Sequence, residues 1–411
     1  MSKINDLIKE LCPDGVEYIN ITEIFNIKNG YTPSKSNDKY WKDGTIPWFR
    51  MEDIRENGRI LCDSIQHVTN KAIKGNLFPA NSIIIATTAT IGEHALITVP
   101  SIANQQLTYL YLKDNYKEKV NMKYIYHYCF ILDEYCKSII KTGGFPAVLM
   151  NEFKKFKFAI PPLEVQNEIV RILDKFGELE AELEAELEAR KSQYEFWRGK
   201  LLDKNDNLKT IGELFEFKNG INKSKNCFGT GNLIINYVDV YKNNKITNEI
   251  VKGLVELNDS DLIRYSCKRG DVFFTRTSET REEVGMSSVL IDDMNDSVFS
   301  GFLLRARPIT DLLIPEYCAY CFSSPRVRRD IISYANFTTR ATVTGPILSK
   351  VKIYVPSKEE QKRIVKILDK MYSLINSFID GLPAEIELRK KQYEYYRKKI
   401  LNFERVDDGE K

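Results

Sequence analysis

The stretch "QNEIVRILDK", Gln166 to Lys175, is written a second time as "QKRIVKILDK", Gln361 to Lys370, with seven of ten positions identical at an offset of 195. A second block, "RKSQYEFWRGKLL" (Arg190 to Leu202), returns as "RKKQYEYYRKKIL" (Arg389 to Leu401), with eight of thirteen identical at an offset of 199. Upstream, "IFNIKNGYTPSK" (Ile24 to Lys35) is matched by "LFEFKNGINKSK" (Leu214 to Lys225). Strand-like text, "FKFAIPP" and "VKIYVPS", leads into each repeated helix. Three aligned blocks in one order mark an internal duplication of roughly 200 residues. The chain therefore reads as variable region, helix, variable region, helix.

Between the blocks the periodicity is helical. Ile169, Leu173, Phe176, Leu179, Leu183, Leu187, Tyr194, Trp197 and Leu201 recur mostly three or four apart, the seam of a long helix packing along a partner. Pro161 and Pro162 end the strand and allow a helix to begin. In the second copy Ser357 and Glu360 make an S-x-x-E capping box. Its seam runs Ile364, Ile367, Leu368, Met371, Leu374 and Phe378, then meets "DGLPAEIE". The offset change from 195 to 199 places four added residues near Gly381 to Pro383. A proline inside a helix costs ~3 kcal/mol, so a break is expected there, with Pro383 opening a new segment. The natural partner of each long helix is the other copy, packed antiparallel. Within "FGELEAELEAELEARKSQYEFW" (Phe176 to Trp197), leucines four apart drift only ~40° per repeat and share a face. The glutamates give this segment an acidic side poorly suited to phosphates.

The bulk numbers fit this plan. A chain of 411 residues has room for two or three domains, and 43% apolar with 11% aromatic content suits a folded protein. No apolar run reaches the length of a membrane span. "MSKINDLIKELCPDGVEY" carries charge where a signal peptide needs an apolar core, so the expectation is a cytoplasmic protein. Eight scattered cysteines read as free thiols of a reducing compartment. Sixty basic residues are offset by fifty-seven acidic ones, so any contact with DNA must run through local basic surface.

Residues 1–160 and 206–355 read as mixed α and β. "SIIIATTATI" (Ser82 to Ile91), "LTYLYLK" (Leu107 to Lys113), "DVFFTRT" (Asp271 to Thr277) and "SGFLLRARP" (Ser300 to Pro308) look like strands. "NMKYIYHYCFILDEYCKSII" and "PEYCAYCFSSPRVRRDII" look like equivalent helices. There is no P-loop, no G-x-G-x-x-G after a strand and no Asn-Pro-Pro-aromatic motif. His67, His94 and His127 are not spaced as metal ligands. Cys318 and Cys321 form a C-x-x-C without a second pair nearby, which reads as buried thiols. "PDGVEY" lacks the lysine that would complete a nuclease motif.

What remains are polar, basic and aromatic clusters on expected loops, at matching places in the two copies. In the first region they offer Lys28, Asn29, Tyr31, Thr32, Ser34, Lys35, Thr87, Thr88, Thr90, Gln105 and Gln106. In the second they offer Lys218, Asn219, Lys223, Lys225, Arg276, Ser278, Arg281 and Arg340. Arg and Gln can read base edges by paired hydrogen bonds, while Lys, Ser, Thr and glycine-turn amides hold phosphates.

With these blocks in this order, nearly the whole chain resembles the specificity (S) subunit of a type I restriction–modification enzyme. The resemblance rests on "IPPLEVQNEIVRILDK" and "VPSKEEQKRIVKILDK", on the two RK-x-QYE blocks, and on the KNG entry into each variable region. It implies an α+β protein: two mixed α/β target recognition domains joined by two long antiparallel coiled-coil helical spacers with internal pseudo-twofold symmetry. The expected bounds are 1–160 and 206–355 for the domains, 161–205 and 356–405 for the spacers, and 406–411 for a tail. The implied function is to recognise a split target in double-stranded DNA and to position two methyltransferase (M) subunits and the restriction (R) subunits. The seam residues Ile169, Leu173, Phe176, Leu179, Leu183, Leu187, Tyr194, Trp197, Ile364, Leu368, Met371, Tyr393 and Tyr396 are then the expected subunit interface. No catalysis, cofactor or metal is implied for this chain; S-adenosylmethionine, ATP and Mg belong to the partner subunits. The competing readings are a structural coiled-coil scaffold and a self-contained DNA-modifying enzyme.

Overall fold

In the computed structural model, residues 2–141, 144–377 and 379–406 are described. Phe378 of the second seam and tail residues 407–411 lie outside that set. The chain divides into two compact units, one formed by the chain up to Glu182 together with the stretch from Glu387 onward, the other by Leu183–Ile386. Each unit thus contains one variable region and a portion of both repeated helices.

The two units repeat one strand plan. In the first, a five-stranded sheet runs in the order Phe25–Asn29, Leu107–Leu112, Ser82–Ala86, His94–Ile97, Ile60–Leu61. In the second the order is Phe215–Asn219, Leu303–Pro308, Val272–Thr275, Ser287–Leu290, Lys245–Ile246. In both sheets every pairing is antiparallel except the last, which is parallel. A three-stranded sheet accompanies each: His67–Val68, Ile46–Phe49 and Ile102–Ala103 in one, Gly253–Val255, Phe228–Ile235 and Ser297–Phe299 in the other. The central strands Ser82–Ala86 and Val272–Thr275 are buried along their whole length, which is why they read as unbroken apolar runs.

A helix, Met122–Ser138, covers the first sheet, its start capped by the Asn121 side chain accepting from the Lys123 N–H. Its expected counterpart is split into Pro315–Cys321 and Pro325–Tyr334. Pro325 cannot donate to a continuing helix, so it opens a new one behind a Ser324 cap. Cys318 and Cys321 are buried in the shorter piece, and burial pushes both thiols up.

Each repeated helix is fastened to its region by the same set of bonds. Gln166 Nε2 donates to the carbonyls of Lys119 (2.9 Å) and Pro161 (2.7 Å), while its Oε1 accepts from the Asn121 N–H (2.8 Å). Gln361 Nε2 donates to the carbonyls of Leu312 and Pro356 (both 2.8 Å), and its Oε1 accepts from the Ile314 N–H (2.9 Å). Both glutamines are fully buried. The Tyr124 hydroxyl donates to the Ala159 carbonyl (2.8 Å) and that of Tyr317 to the Tyr354 carbonyl (2.9 Å). A fully satisfied buried amide adds little net energy, but losing it strands several buried partners, so such pins fix one geometry.

The central helix is continuous over Leu163–Leu202. Within the first unit Phe176 stacks on Tyr396 (5.5 Å) and Tyr393 (6.0 Å), and Glu180 meets Lys390 at 3.5 Å. Numbers rise on one helix as they fall on the other, so the pair is antiparallel. In the second unit Tyr194 packs on Tyr372 (6.1 Å) and Lys204 lies 4.0 Å from Glu360, again antiparallel. The second helix is broken as expected, Lys358–Asn376 ending before Leu382–Ile400 begins, with Pro383 in its first turn. Only half of the expected capping box forms there. Ser357 Oγ accepts from the Glu360 N–H, while the Glu360 carboxylate turns to Arg363 (2.7 Å).

Candidate nucleic-acid interface

The KNG stretches owe their glycines to packing. A Cβ on Gly30 would stand 2.3 Å from the carbonyl oxygens of Ala103 and Asn104, and one on Gly220 would stand 2.0 Å from that of Ser300. The chain therefore crosses another backbone at van der Waals contact, which only glycine permits. The crossing brings two loops of each unit together with matching bonds. The Tyr31 N–H donates to the Ala103 carbonyl as that of Ile221 does to Phe299. The Gly30 N–H donates to Leu107 as that of Gly220 does to Leu303. Finally, the Thr87 N–H donates to the Gln106 carbonyl (3.0 Å) as that of Arg276 does to Phe302 (3.1 Å). Asn104-Gln105-Gln106 and Ser300-Gly301-Phe302 are thus one loop written in two chemistries.

In the first unit the expected residues converge through side chains as well. Thr32 Oγ1 donates to Gln105 Oε1, and Asn104 Nδ2 donates to Gln106 Oε1. Thr108 joins Asn29 and the buried Thr87 at 2.9 Å each. The Tyr31 hydroxyl accepts from the Lys74 N–H and is half-buried, so it braces the loop. Thr88 pairs with Ala147, and Thr90 accepts from Arg55. Lys28, Ser34 and Lys35 are exposed, and the Lys74 ammonium lies over the Tyr31 ring at 5.5 Å.

The second unit assembles differently. Arg276 Nη1 donates to the Gly301 carbonyl (2.9 Å), and Asn222 lies against Gly301, where a Cβ would meet its Oδ1 at 1.9 Å. Strands Thr277–Ser278, Ala341–Thr342 and Asn336–Phe337 form a small sheet, burying Ser278 and bringing Arg281 over the Phe337 ring (5.6 Å) and Arg340 within 3.6 Å of Glu279. Lys223 is paired with Asp261 (2.7 Å). Burial and the nearby Arg305 and Arg264 push the Lys218 ammonium down, while Glu216 acts the other way. Asn219 and Lys225 are exposed.

Two candidates escape a reading of the sequence. Phe302 and Phe145 are 67% and 71% exposed on loops. Phe302 lies hidden inside strand-like text. Phe145 sits in the segment paired to Thr88 through Ala147, and its signal is its distance ahead of "FKFAIPP", which matches that of "NFTTRATVTG" ahead of "VKIYVPS".

The seam residues divide. Ile169, Leu173, Ile364 and Leu368 are fully buried and Tyr194 nearly so within their own units, leaving no surface to offer a second protein. Their expected role as subunit interface is corrected to that of joining helix to domain. Phe176, Tyr393 and Tyr396 face one another, and Leu187, Trp197 and Met371 are half-buried against the second core. Leu179 and Leu183 also belong to the seam, and Leu183 is half-buried.

Among the described residues no helix is long and apolar enough to cross a membrane. The chain matches the pattern of the type I restriction modification DNA specificity domain twice, over residues 13–189 and 204–388. It is 36% identical over 402 residues to the type I restriction enzyme EcoprrI specificity subunit of Escherichia coli, covering 92% of this chain and 93% of that one. It is 30% identical over 314 residues to the EcoR124I/EcoR124II specificity subunit of Escherichia coli, covering 69% and 72%. Two solved structures share the fold. One, from work on complex assembly and conformational transition of the type I R-M system, aligns with a TM-score of 0.66 at 15% identity over 94% of this chain and 98% of the other. The HsdS subunit of Thermoanaerobacter tengcongensis aligns with a TM-score of 0.53 at 16% identity over 95% and 96%.

Proposed function

The chain belongs to the type I restriction–modification DNA specificity family, and from that premise we propose that it reads a split sequence in double-stranded DNA, one half per unit. The observation that carries this reading is the pair of loops held by matching backbone bonds but bearing Asn-Gln-Gln in one unit and Ser-Gly-Phe in the other. A shared scaffold with exchanged side chains is what two readers of different half-sites require. In the first unit Gln105 and Gln106 face base edges, with Lys28 and Lys35 on phosphates. In the second, Arg276 and Arg281 take the first role, with Lys218 and Lys225 on the backbone.

The helices position the methyltransferase subunits, and through them the restriction subunits. Phe196 and Tyr395, equivalent at the offset of 199, are 62% and 60% exposed on the two helices, which supports two similar docking places. The second unit adds a groove of about 430 Å³ lined by Trp197, Leu201, Ile367 and Met371 with Lys200, Lys204 and Arg363 at its rim. The chemistry resides in the partners, which supply the S-adenosylmethionine, ATP and Mg sites. The test is to replace residues 1–160 with those of another family member and map methylated adenines in cells that also express the methyltransferase. One half of the bipartite motif should change and the other should stay. A change in both halves, or methylation by this chain alone, would sink the reading.

A further inference from the structure

We infer that Phe302 is a specificity-determining residue of the second unit, reading the methyl group of a thymine by apolar contact; this rests on the DNA-reading function proposed above. The loop that carries it is held at every backbone position that matters. Its carbonyl accepts from the Arg276 N–H, its own N–H is directed at Ser300 Oγ, and the flanking Ser300 and Leu303 are buried. Gly301 is locked between the Arg276 guanidinium and Asn222. A large apolar ring therefore stands 67% exposed on a loop with little freedom to fold it away. Leaving most of such a ring in water forgoes on the order of a tenfold or greater gain in stability that burial would supply.

The equivalent place in the first unit holds Gln106, beside Gln105, and both can exchange hydrogen bonds with base edges. A phenylalanine offers neither donor nor acceptor. The apolar group that carries sequence information in the major groove is the thymine C5-methyl. A ring at the same point of the same loop reads that group where the first unit reads polar edges.

The test uses the full chain in complex with its methyltransferase subunit and a synthetic duplex bearing the motif found by methylation mapping. Each thymine of the second half-site is replaced singly by deoxyuridine, which lacks only the methyl. One replacement should weaken binding by about tenfold. It should have no further effect on Phe302→Ala, whose binding to the thymine duplex should already be reduced to the same degree. Phe302→Leu should keep most of the methyl dependence, and it decides the matter should the alanine variant fail to fold. Three results would overturn the inference: no replacement has an effect, the second half-site has no thymine, or Phe302→Ala weakens binding equally on all sequences, as loss of an intercalating wedge would. A wild-type complex with no preference for any bipartite site would instead overturn the proposed function.

Discussion

At Asp174 the central helix is joined to the first unit through His127 (2.9 Å) and Lys123 (2.7 Å); at the equivalent Asp369 the second unit is joined through Tyr320 and Lys245. The carboxylate and the neighbouring glutamine and tyrosine pins are kept, while the group presented to the carboxylate is changed. The contrast separates two kinds of position. At the glutamine and tyrosine pins, where the side chain serves a backbone carbonyl or amide, both copies retain the same residue. At the carboxylate, where side chain meets side chain, the partner has changed from a histidine to a tyrosine.

The strongest way to break this distinction is to strike the backbone crossing. Gly220→Ala would place a Cβ 2.0 Å from the Ser300 carbonyl oxygen, with the Phe299 carbonyl oxygen at 2.7 Å. Backbone on both sides cannot yield as a flexible side chain would, so a loss of about 3 kcal/mol in the second unit is expected. Gly30→Ala should cost the first unit a similar amount, since its Cβ would meet two carbonyls at 2.3 Å. Urea unfolding of the two variants checks this. A Gly220→Ala protein as stable as the parent would show that the crossing is loose and that the shared KNG text has another cause.

The His127 joint sharpens the comparison with a smaller effect. Burial holds its imidazole below the ordinary 6.5, outweighing the Asp174 carboxylate, with Arg397 and His94 acting in the same direction as burial. Lys123 and the Tyr393 hydroxyl also face this joint. The unfolded chain takes up a proton near pH 6.5 that the folded unit resists. The stability His127 confers is therefore complete above that pH and declines as pH falls toward the folded value, by at most ~1.4 kcal/mol per pH unit. Asp174 is itself held below the ordinary 3.8, so its own loss begins only in more acidic solution. Tyr320, pushed up by burial and by Asp369, remains protonated throughout and gives the second unit no such slope. Hydrogen exchange at pH 7 and pH 5.5 should show the first unit loosening more than the second, and His127→Gln should remove the difference. Persistence of the full difference in that variant would assign it elsewhere.

The same division governs how much of the molecule is legible in its residues. The two-copy plan, the forty-residue central helix and the break before Pro383 are readable because period, proline and duplication act locally. The split of the second region's helix at Pro325 is also written in the text, though apolar periodicity continues across it. Gln166 and Gln361 look like ordinary polar positions on a helix, because two of the three partners of each lie in segments remote in sequence. Phe302 reads as part of a strand, since nothing local distinguishes a buried from an exposed phenylalanine. Tyr31 is legible as a loop aromatic, but its role in bracing that loop depends on Lys74 and Trp48, which only the fold brings near.

The smallest effect on stability is expected in the acidic tetrads, where the two helices differ most. Glu186 pairs with Arg190 and Glu188 with Lys191 on the surface, and Glu180 reaches Lys390 at 3.5 Å. Exposed pairs of this kind contribute about 0–1 kcal/mol each. Deleting Glu180 to Leu183 should therefore cost little stability while shortening the helix by ~6 Å and turning its C-terminal remainder by only ~40°. On the bipartite reading proposed above, and against a base-pair rise of ~3.4 Å, this predicts a gap between half-sites shorter by one or two base pairs. The second helix offers the control, because its four added residues fall between the segment ending at Asn376 and the one beginning at Leu382. Methylation mapping of the deletion should return both half-sites unchanged with a shorter gap. An unchanged gap in a complex that still methylates would mean that the tetrads are an acidic solvated surface without a measuring role.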